Sequence, residues 1–155
     1  MPLVEPGRKA PAFSLEDQDG KTHTLKGYAG RTIVLYFYPK DDTPGCTREA
    51  CDFRDALPDF KEGKSVVLGV SILDTASKAR FARKHKVNFP LLADPDHEVA
   101  EKYGAWKKKS MYGKSFMGLA RMTFLIGPDG AVIRRWDNVK VDGHVDAVLE
   151  AVEAL

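Results

Sequence analysis

The residues best suited to covalent chemistry are two thiols, Cys46 and Cys51. A thiol is nucleophilic as its thiolate, which a helix N-terminus or a nearby cation favours. Thr43 is a good N-cap residue and Pro44 suits the first helical position, so Cys46 falls in the first turn of a predicted helix. The backbone N–H groups of that turn have no intrahelical acceptor and carry partial positive charge. The sequence therefore predicts a reactive sulfur at Cys46.

Such a thiolate can attack a peroxide if donors meet the negative charge that develops on the departing oxygen. Thr43, close before Cys46, is a candidate for this role. An arginine brought from another strand would add a permanent charge and several fixed donors. The pattern is therefore compatible with cleavage of an O–O bond.

The spacing of the two cysteines carries a conformational prediction. On an ideal helix, residues five apart have Cα atoms about 8 to 9 Å apart. A disulfide tolerates at most about 7 Å. If both cysteines are helical when reduced, a bond between them requires the first part of the helix to unwind. Gly45 lowers helix propensity there, and Pro58 predicts a kink or restart that would separate a labile first half from a stable second half.

The elements that must position Cys46 form a strand, helix and strand. Residues 32–38 are β-branched, aliphatic and aromatic without alternation, which indicates a strand covered on both faces. Residues 65–72 are a second buried strand, so the unit is expected to be parallel and right-handed. Between them, apolar residues at spacings of four and three predict one face of a helix: Cys46, Ala50, Phe53, Leu57 and Phe60.

The other segments continue an α/β pattern. Asp19-Gly20 is a turn signal for an N-terminal hairpin. Asp74 is a plausible cap for a helix that ends at about Lys86, and Asp96 is a plausible cap for a helix that ends at Tyr103. Residues 104–120 lack periodicity and are expected to be a long loop, with lysines 107–109 on a solvated face. Three further elements are predicted: a strand at 89–93, a hairpin of residues 121–126 and 131–136, and a helix at 143–155.

Length and charge limit the function classes. The 155 residues predict a single domain, 1–155. The 24 Lys and Arg and the 22 Asp and Glu are mostly interspersed along the chain, so no nucleic-acid surface is expected. The longest apolar runs have about six residues, against roughly 20 for a membrane span. The first residues lack a secretory signal, which predicts a cytoplasmic protein. The cysteines and histidines lack the ligand spacing of a structural zinc site. We interpret the four histidines as surface or structural residues: His23, His85, His97 and His144.

A family resemblance rests on Pro39, Thr43 and Cys46, which match the peroxiredoxin pattern P-x-x-x-T-x-x-C. Thr-Pro-Gly-Cys-Thr followed by Cys51 resembles the Q-type branch, also called bacterioferritin comigratory protein. The similarity extends over nearly the whole chain, with Ala-Pro-Ala-Phe-Ser-Leu, Lys-Ser-Phe-Met-Gly and Arg-Met-Thr-Phe-Leu-Ile as further matches.

The resemblance implies a thioredoxin-like α/β fold with a central mixed sheet, flanking helices and an N-terminal hairpin extension. It implies Cys46 as the peroxidatic thiol, Cys51 as the resolving thiol, Thr43 and Arg121 as the groups that activate thiolate and peroxide, and Pro39 as a shield. The expected substrates are hydrogen peroxide and organic hydroperoxides, and the reductant is thioredoxin or a related dithiol protein. No cofactor or metal is required. Because an intramolecular disulfide needs no partner subunit, a monomer is expected.

Two other functions are left open by the residues alone. A thioredoxin-like fold would permit a dithiol reductase, although its usual C-x-x-C is missing. The cysteines could also sense oxidants in a binding or chaperone-like module without turnover. Each candidate residue also has a simpler interpretation: Cys46 as core, Cys51 as an exposed thiol, Thr43 as a cap, and Pro39 and Arg121 as strand-end residues.

Overall fold

The strands form one mixed sheet of seven and a separate two-stranded hairpin. The computed structural model describes residues 3–155. The strands are β1 (Ser14–Glu16), β2 (Thr22–Thr24), β3 (Thr32–Phe37), β4 (Ser65–Ser71), β5 (Leu91–Ala93), β6 (Trp106–Met111), β7 (Lys114–Leu119), β8 (Met122–Ile126) and β9 (Val132–Trp136). The order in the large sheet is β2-β1-β5-β4-β3-β8-β9, with β6 and β7 apart.

The centre of the sheet is parallel and its edges are antiparallel. Strand β4 pairs in parallel with β3, as the strand, helix and strand pattern predicted, and it also pairs in parallel with β5. Strands β8 and β9 extend one side antiparallel, and the predicted N-terminal hairpin extends the other, where Glu16 pairs with Ala93. The result is the thioredoxin-like mixed sheet with an N-terminal hairpin.

Helices cover both faces of this sheet. They are α1 (Pro44–Glu62), α2 (Thr75–His85), α3 (Glu98–Tyr103) and α4 (His144–Glu153). Residues of α1, α2 and α4 pack in one cluster with Val34 and Tyr36, and α3 packs in a second cluster with Leu35 and Phe37. Every residue of β3 is consequently buried. None of the helices within residues 3–155 is long and apolar enough to cross a membrane.

The loop predicted at residues 104–120 is wrong, because most of this segment is the β6 and β7 hairpin. The strands turn at Tyr112 and Gly113, both with positive φ, which is the conformation of the favoured two-residue hairpin turn. Gly adopts this conformation readily, whereas Tyr does so rarely. The lysines of the hairpin and Gly118 belong to residue types that are depleted in strands, which hid the hairpin in the sequence.

The restart predicted at Pro58 does not occur, since α1 is one continuous helix through that position. Proline lacks the N–H that would bond to the carbonyl of Arg54 one turn earlier. The side-chain amide of Asn88 donates to this carbonyl at 3.3 Å. The Arg54 carbonyl, which proline leaves without a donor in the helix, therefore has a partner, and the helix continues.

One predicted cap is also wrong. Asp74 caps α2 as expected, with its carboxylate accepting from the Ser77 backbone N–H at 2.9 Å. At α3 the cap is supplied by Asp94 instead of Asp96, because its carboxylate accepts from the N–H groups of Val99 and Ala100. Asp94 lies at the end of β5 and is buried, so its carboxylate already points at the helix start.

Candidate active site

Cys46 lies in the first turn of α1 and its residue is 1% exposed. The helix begins after Thr43, whose extended backbone (φ −96°, ψ 155°) places its carbonyl to accept the Thr47 N–H at 2.8 Å. The apolar face predicted for the helix is correct, because Cys46 and the other four residues of the stripe are buried. The sulfur therefore sits between the sheet and a helix start with partial positive charge.

Arg121 is brought to the same place by the sheet. It precedes β8, which runs antiparallel to β3 with Met122 opposite Phe37, so it lies where β3 ends and α1 is about to begin. Its Nη2 lies 3.3 Å from the Cys46 sulfur. A Cβ atom on Gly45 would be 3.1 Å from the same Nη2, so the missing side chain allows this close approach. The arginine expected from another strand is therefore in contact with the sulfur.

Glu49 holds the other end of the guanidinium. Its carboxylate accepts from Nη1 of Arg121 at 2.7 Å, and its side chain is fully buried. Burial raises the pKa of Glu49 to about 7, although Arg121 opposes the shift. Partial burial lowers the pKa of Arg121, but the charges of Glu49 and Cys46 outweigh it and leave the pKa above its ordinary value. Arg121 is thus held as a cation between two groups that both gain from its charge.

Thr43 occupies the cap position but does not cap with its side chain. Its hydroxyl donates to the carbonyl of Lys40 at 3.0 Å. Because a hydroxyl has one proton, its oxygen lone pairs are left to accept a hydrogen bond. Pro39 lies in the same loop, two residues after the end of β3, and is partly buried.

The model of the AhpC/TSA family matches residues 6–135. The chain belongs to the AhpC/TSA family. It is 46% identical over 150 residues to the peroxiredoxin Bcp of Bacillus subtilis, which covers 97% of this chain and 96% of that one. The peroxiredoxin Bcp of Escherichia coli K12 is 43% identical over 149 residues, with 96% of each chain covered.

Solved structures of Q-type peroxiredoxins are also similar. A peroxiredoxin Q of Xanthomonas campestris superposes with a TM-score of 0.91 at 42% identity, covering 96% of this chain and 97% of that one. A Xylella fastidiosa PrxQ mutant gives a TM-score of 0.94 at 35% identity, with 99% and 98% covered. The resemblance to Q-type peroxiredoxins is therefore confirmed, and the chain is of the peroxidase class.

The second cysteine of this peroxiredoxin lies on the same helix. Cys51 is partly exposed, and both thiols are free. Because α1 includes both residues without interruption, an ideal helix separates their Cα atoms by about 8 to 9 Å. The sequence predicted that a disulfide requires local unfolding if both cysteines are helical, and both are helical in the structure.

Sequence reasoning missed Glu49 and two further buried ionic residues near the site, Asp41 and Lys78. Glu49 lies three positions after Cys46, so helical spacing puts its carboxylate on the same side of the helix as the thiol, and this spacing was a usable signal. The four histidines have structural partners, as interpreted. In particular His144 is buried against Phe53 and Trp136 and shares a 2.8 Å hydrogen bond with Thr123.

Proposed function

We propose that the chain reduces hydrogen peroxide and organic hydroperoxides at Cys46, with Cys51 as the resolving thiol and thioredoxin or a related dithiol protein as the reductant. The observation that carries the proposal is the Arg121 guanidinium, 3.3 Å from a buried sulfur in the first turn of a helix. A solved Xanthomonas campestris bacterioferritin comigratory protein, 41% identical with a TM-score of 0.91, is described as having alkyl peroxide reduction activity. We extend that substrate class to this chain.

In the first step, the Cys46 thiolate attacks the distal oxygen of the peroxide. A sulfur–oxygen bond forms, the O–O bond breaks, and the other oxygen leaves as an alkoxide or hydroxide that takes up a proton. Arg121 stabilises both the thiolate and the developing negative charge, because its guanidinium carries several donors. The free lone pairs of the Thr43 hydroxyl accept the O–H of the peroxide, and Pro39 shields the pocket from water.

In the second step, α1 unwinds around its first turns and the Cys51 thiolate attacks the sulfenic acid of Cys46. A disulfide forms and hydroxide leaves, which becomes water on protonation. An external dithiol then supplies two electrons and restores both thiols. Since the disulfide is internal, the cycle needs one chain, and we propose a monomer that acts in the cytoplasm.

Steady-state peroxide consumption with thioredoxin, thioredoxin reductase and NADPH tests this proposal. Turnover that is lost in Cys46→Ser supports the peroxidase. Reduction of protein disulfides without peroxide consumption would instead indicate a dithiol reductase, and oxidation without turnover would indicate a sensor. Mass spectrometry after one equivalent of peroxide, without added reductant, tests the second step. An internal link between Cys46 and Cys51 supports it, and a disulfide between two chains contradicts it.

A further inference from the structure

A buried ion pair lies outside the set of residues that the proposed cycle uses. It joins Asp41, in the loop between β3 and α1, to Lys78 on α2, with side chains 3% and 0% exposed. The Lys78 Nζ lies 3.2 and 3.1 Å from the two carboxylate oxygens of Asp41. Burial of two charges is costly unless they are paired and further hydrogen-bonded. The pair therefore fixes the loop to the helix in one geometry.

Three hydroxyl groups also contact this ion pair, one from the loop after β3, one from α2 and one from β4. Tyr38 donates to Oδ1 of Asp41 at 2.5 Å, and Ser77 donates to Oδ2 at 2.7 Å. Ser71, at the end of β4, is 3.4 Å from Oδ1 and also contacts the Lys78 ammonium. A buried network in which every member has partners is rigid, and one broken member is costly. Asp41 is thus the point where sheet, α2 and loop are joined.

The next residue of the loop is held by the same helix. The Asp42 carboxylate accepts from Lys84 and contacts His85, each at 2.8 Å. Asp42 has φ 59°, a conformation that a non-glycine residue adopts at a cost. Two consecutive carboxylates therefore hold the loop against α2, the inner one buried and the outer one exposed.

This loop carries two residues, Pro39 and Thr43, to which the proposed function gives a role at the peroxide. Pro39 and Thr43 lie on either side of Asp41 and Asp42, and α1 with its first-turn Cys46 follows at once. The only side-chain hydrogen bond that Thr43 makes within residues 3–155 goes to Lys40 of the same loop. The position of the Thr43 hydroxyl therefore depends on how the loop is held.

We propose that Asp41 and Lys78 are positioning residues for the peroxidase reaction: their buried ion pair fixes the loop of residues 39–43 and so sets the position of the Thr43 hydroxyl, three residues before Cys46. The inference rests on the proposed function. It gives α2 the role of supporting the pocket, although no residue of α2 takes part in the chemistry. Displacement of a reacting group by about 1 Å can lower a rate by about 100-fold, so the support has a measurable effect.

Lys78→Met tests the proposal by removing the ammonium while keeping a long side chain. Two rates are compared: peroxide reduction in a single turnover, and alkylation of Cys46 by iodoacetamide. Alkylation requires the thiolate but not the peroxide pocket. We expect the peroxide rate of the folded variant to fall by about 10-fold to 100-fold. The alkylation rate, measured at a pH at which the thiol is fully ionised in both proteins, is expected to stay near that of the wild type. Arg83→Met, which removes an exposed cation from the same helix, is the matched control and should leave both rates unchanged.

A second variant separates positioning from folding. If Lys78→Met alone does not fold, Asp41→Asn combined with Lys78→Met leaves no unpaired buried charge. We expect the double variant to fold and to retain the defect in peroxide reduction. Equal peroxide rates in wild type and folded variants would overturn the inference, as would an equal fall of both rates. Failure of the wild type itself to consume peroxide would refute the proposed function instead, so the two failures are distinguishable.

Discussion

The guanidinium of Arg121 touches the sulfur of Cys46 at 3.3 Å, although the two residues are 75 positions apart. The contact arises because β8 pairs with β3, and α1 starts soon after β3 ends. The sheet therefore brings a permanent cation to the first turn of the helix.

We expect Arg121→Met to reduce peroxide about 100 to 1,000 times more slowly, since one preorganised donor to a developing anion contributes about this much. Arg121→Lys should recover only part of the rate, because an ammonium cannot bond to Glu49 and Cys46 with fixed, separate N–H groups. Single-turnover kinetics at several peroxide concentrations measure the effect. A wild-type rate in Arg121→Met would contradict the role assigned to the guanidinium.

Site residues that are close together in the sequence could be predicted from their own segment, whereas those that only the fold brings together could not. Cys46, Thr43 and Pro44 lie within four positions, so helix capping and thiol chemistry made Cys46 a candidate, and the pattern with Pro39 and Thr43 favoured a reactive thiol over a core residue. Arg121 was singled out only through the family pattern, because nothing in its own segment distinguishes it from an arginine at a strand end.

The supporting residues could not be predicted in the same way. Asp41 and Lys78 are 37 positions apart, and each resembles an ordinary surface charge in its own segment. Their pairing exists only when α2 packs beside the loop. The fold was more predictable, since β3 and β4 are continuous apolar runs, whereas the polar hairpin of β6 and β7 has a register that only pairing reveals.

Glu49 predicts a stability that falls as the pH rises. Its folded-state pKa is raised to about 7 from 4.5, chiefly by burial. Between these values the folded state binds the extra proton, so the free energy of unfolding decreases with increasing pH. The contribution is at most about 3.5 kcal/mol at about 1.4 kcal/mol per pKa unit. Urea unfolding of wild type and Glu49→Gln from pH 4.5 to 7 measures it, and the glutamine variant should lack this part of the slope. Parallel pH profiles for the two proteins would contradict the prediction.

His144 predicts the opposite slope in an overlapping window. Burial, with a smaller effect of Arg121, lowers its pKa from 6.5 to about 4. The unfolded state takes up a proton below pH 6.5 and the folded state does not until about pH 4, so stability is lost as the pH falls through this range. The loss is at most about 3.5 kcal/mol. His144→Gln should be less stable at pH 7 but should lose less on acidification. The same urea titration checks this, with His97→Gln, a partly exposed histidine, as control.

Cys51→Ser should separate the two steps of the cycle. The first turnover depends on Cys46 and Arg121, so its rate should stay within about threefold of wild type, as expected for a change outside the reacting groups. Turnover with thioredoxin should then fail or become slow, and the Cys46 sulfenic acid should persist and oxidise further to sulfinic acid. Mass spectrometry after one and ten equivalents of peroxide distinguishes these products. Normal steady-state turnover in this variant would show that an outside thiol resolves Cys46.

The disulfide predicts which part of α1 opens. Residues 44–54 must lose helical structure for the two sulfurs to meet, because helical geometry keeps their Cα atoms beyond the limit of about 7 Å. The second half is held differently, since Leu57 and Phe60 are buried in the core and Asn88 supports the carbonyl of Arg54 at the boundary. Amide hydrogen exchange of reduced and oxidised protein should therefore show lost protection in residues 44–54 and retained protection in residues 57–62. Equal protection of residues 44–54 in both states would exclude this opening. Asn88→Ala leaves the Arg54 carbonyl without its side-chain donor, so in the reduced protein it should extend the exchanging region toward Pro58.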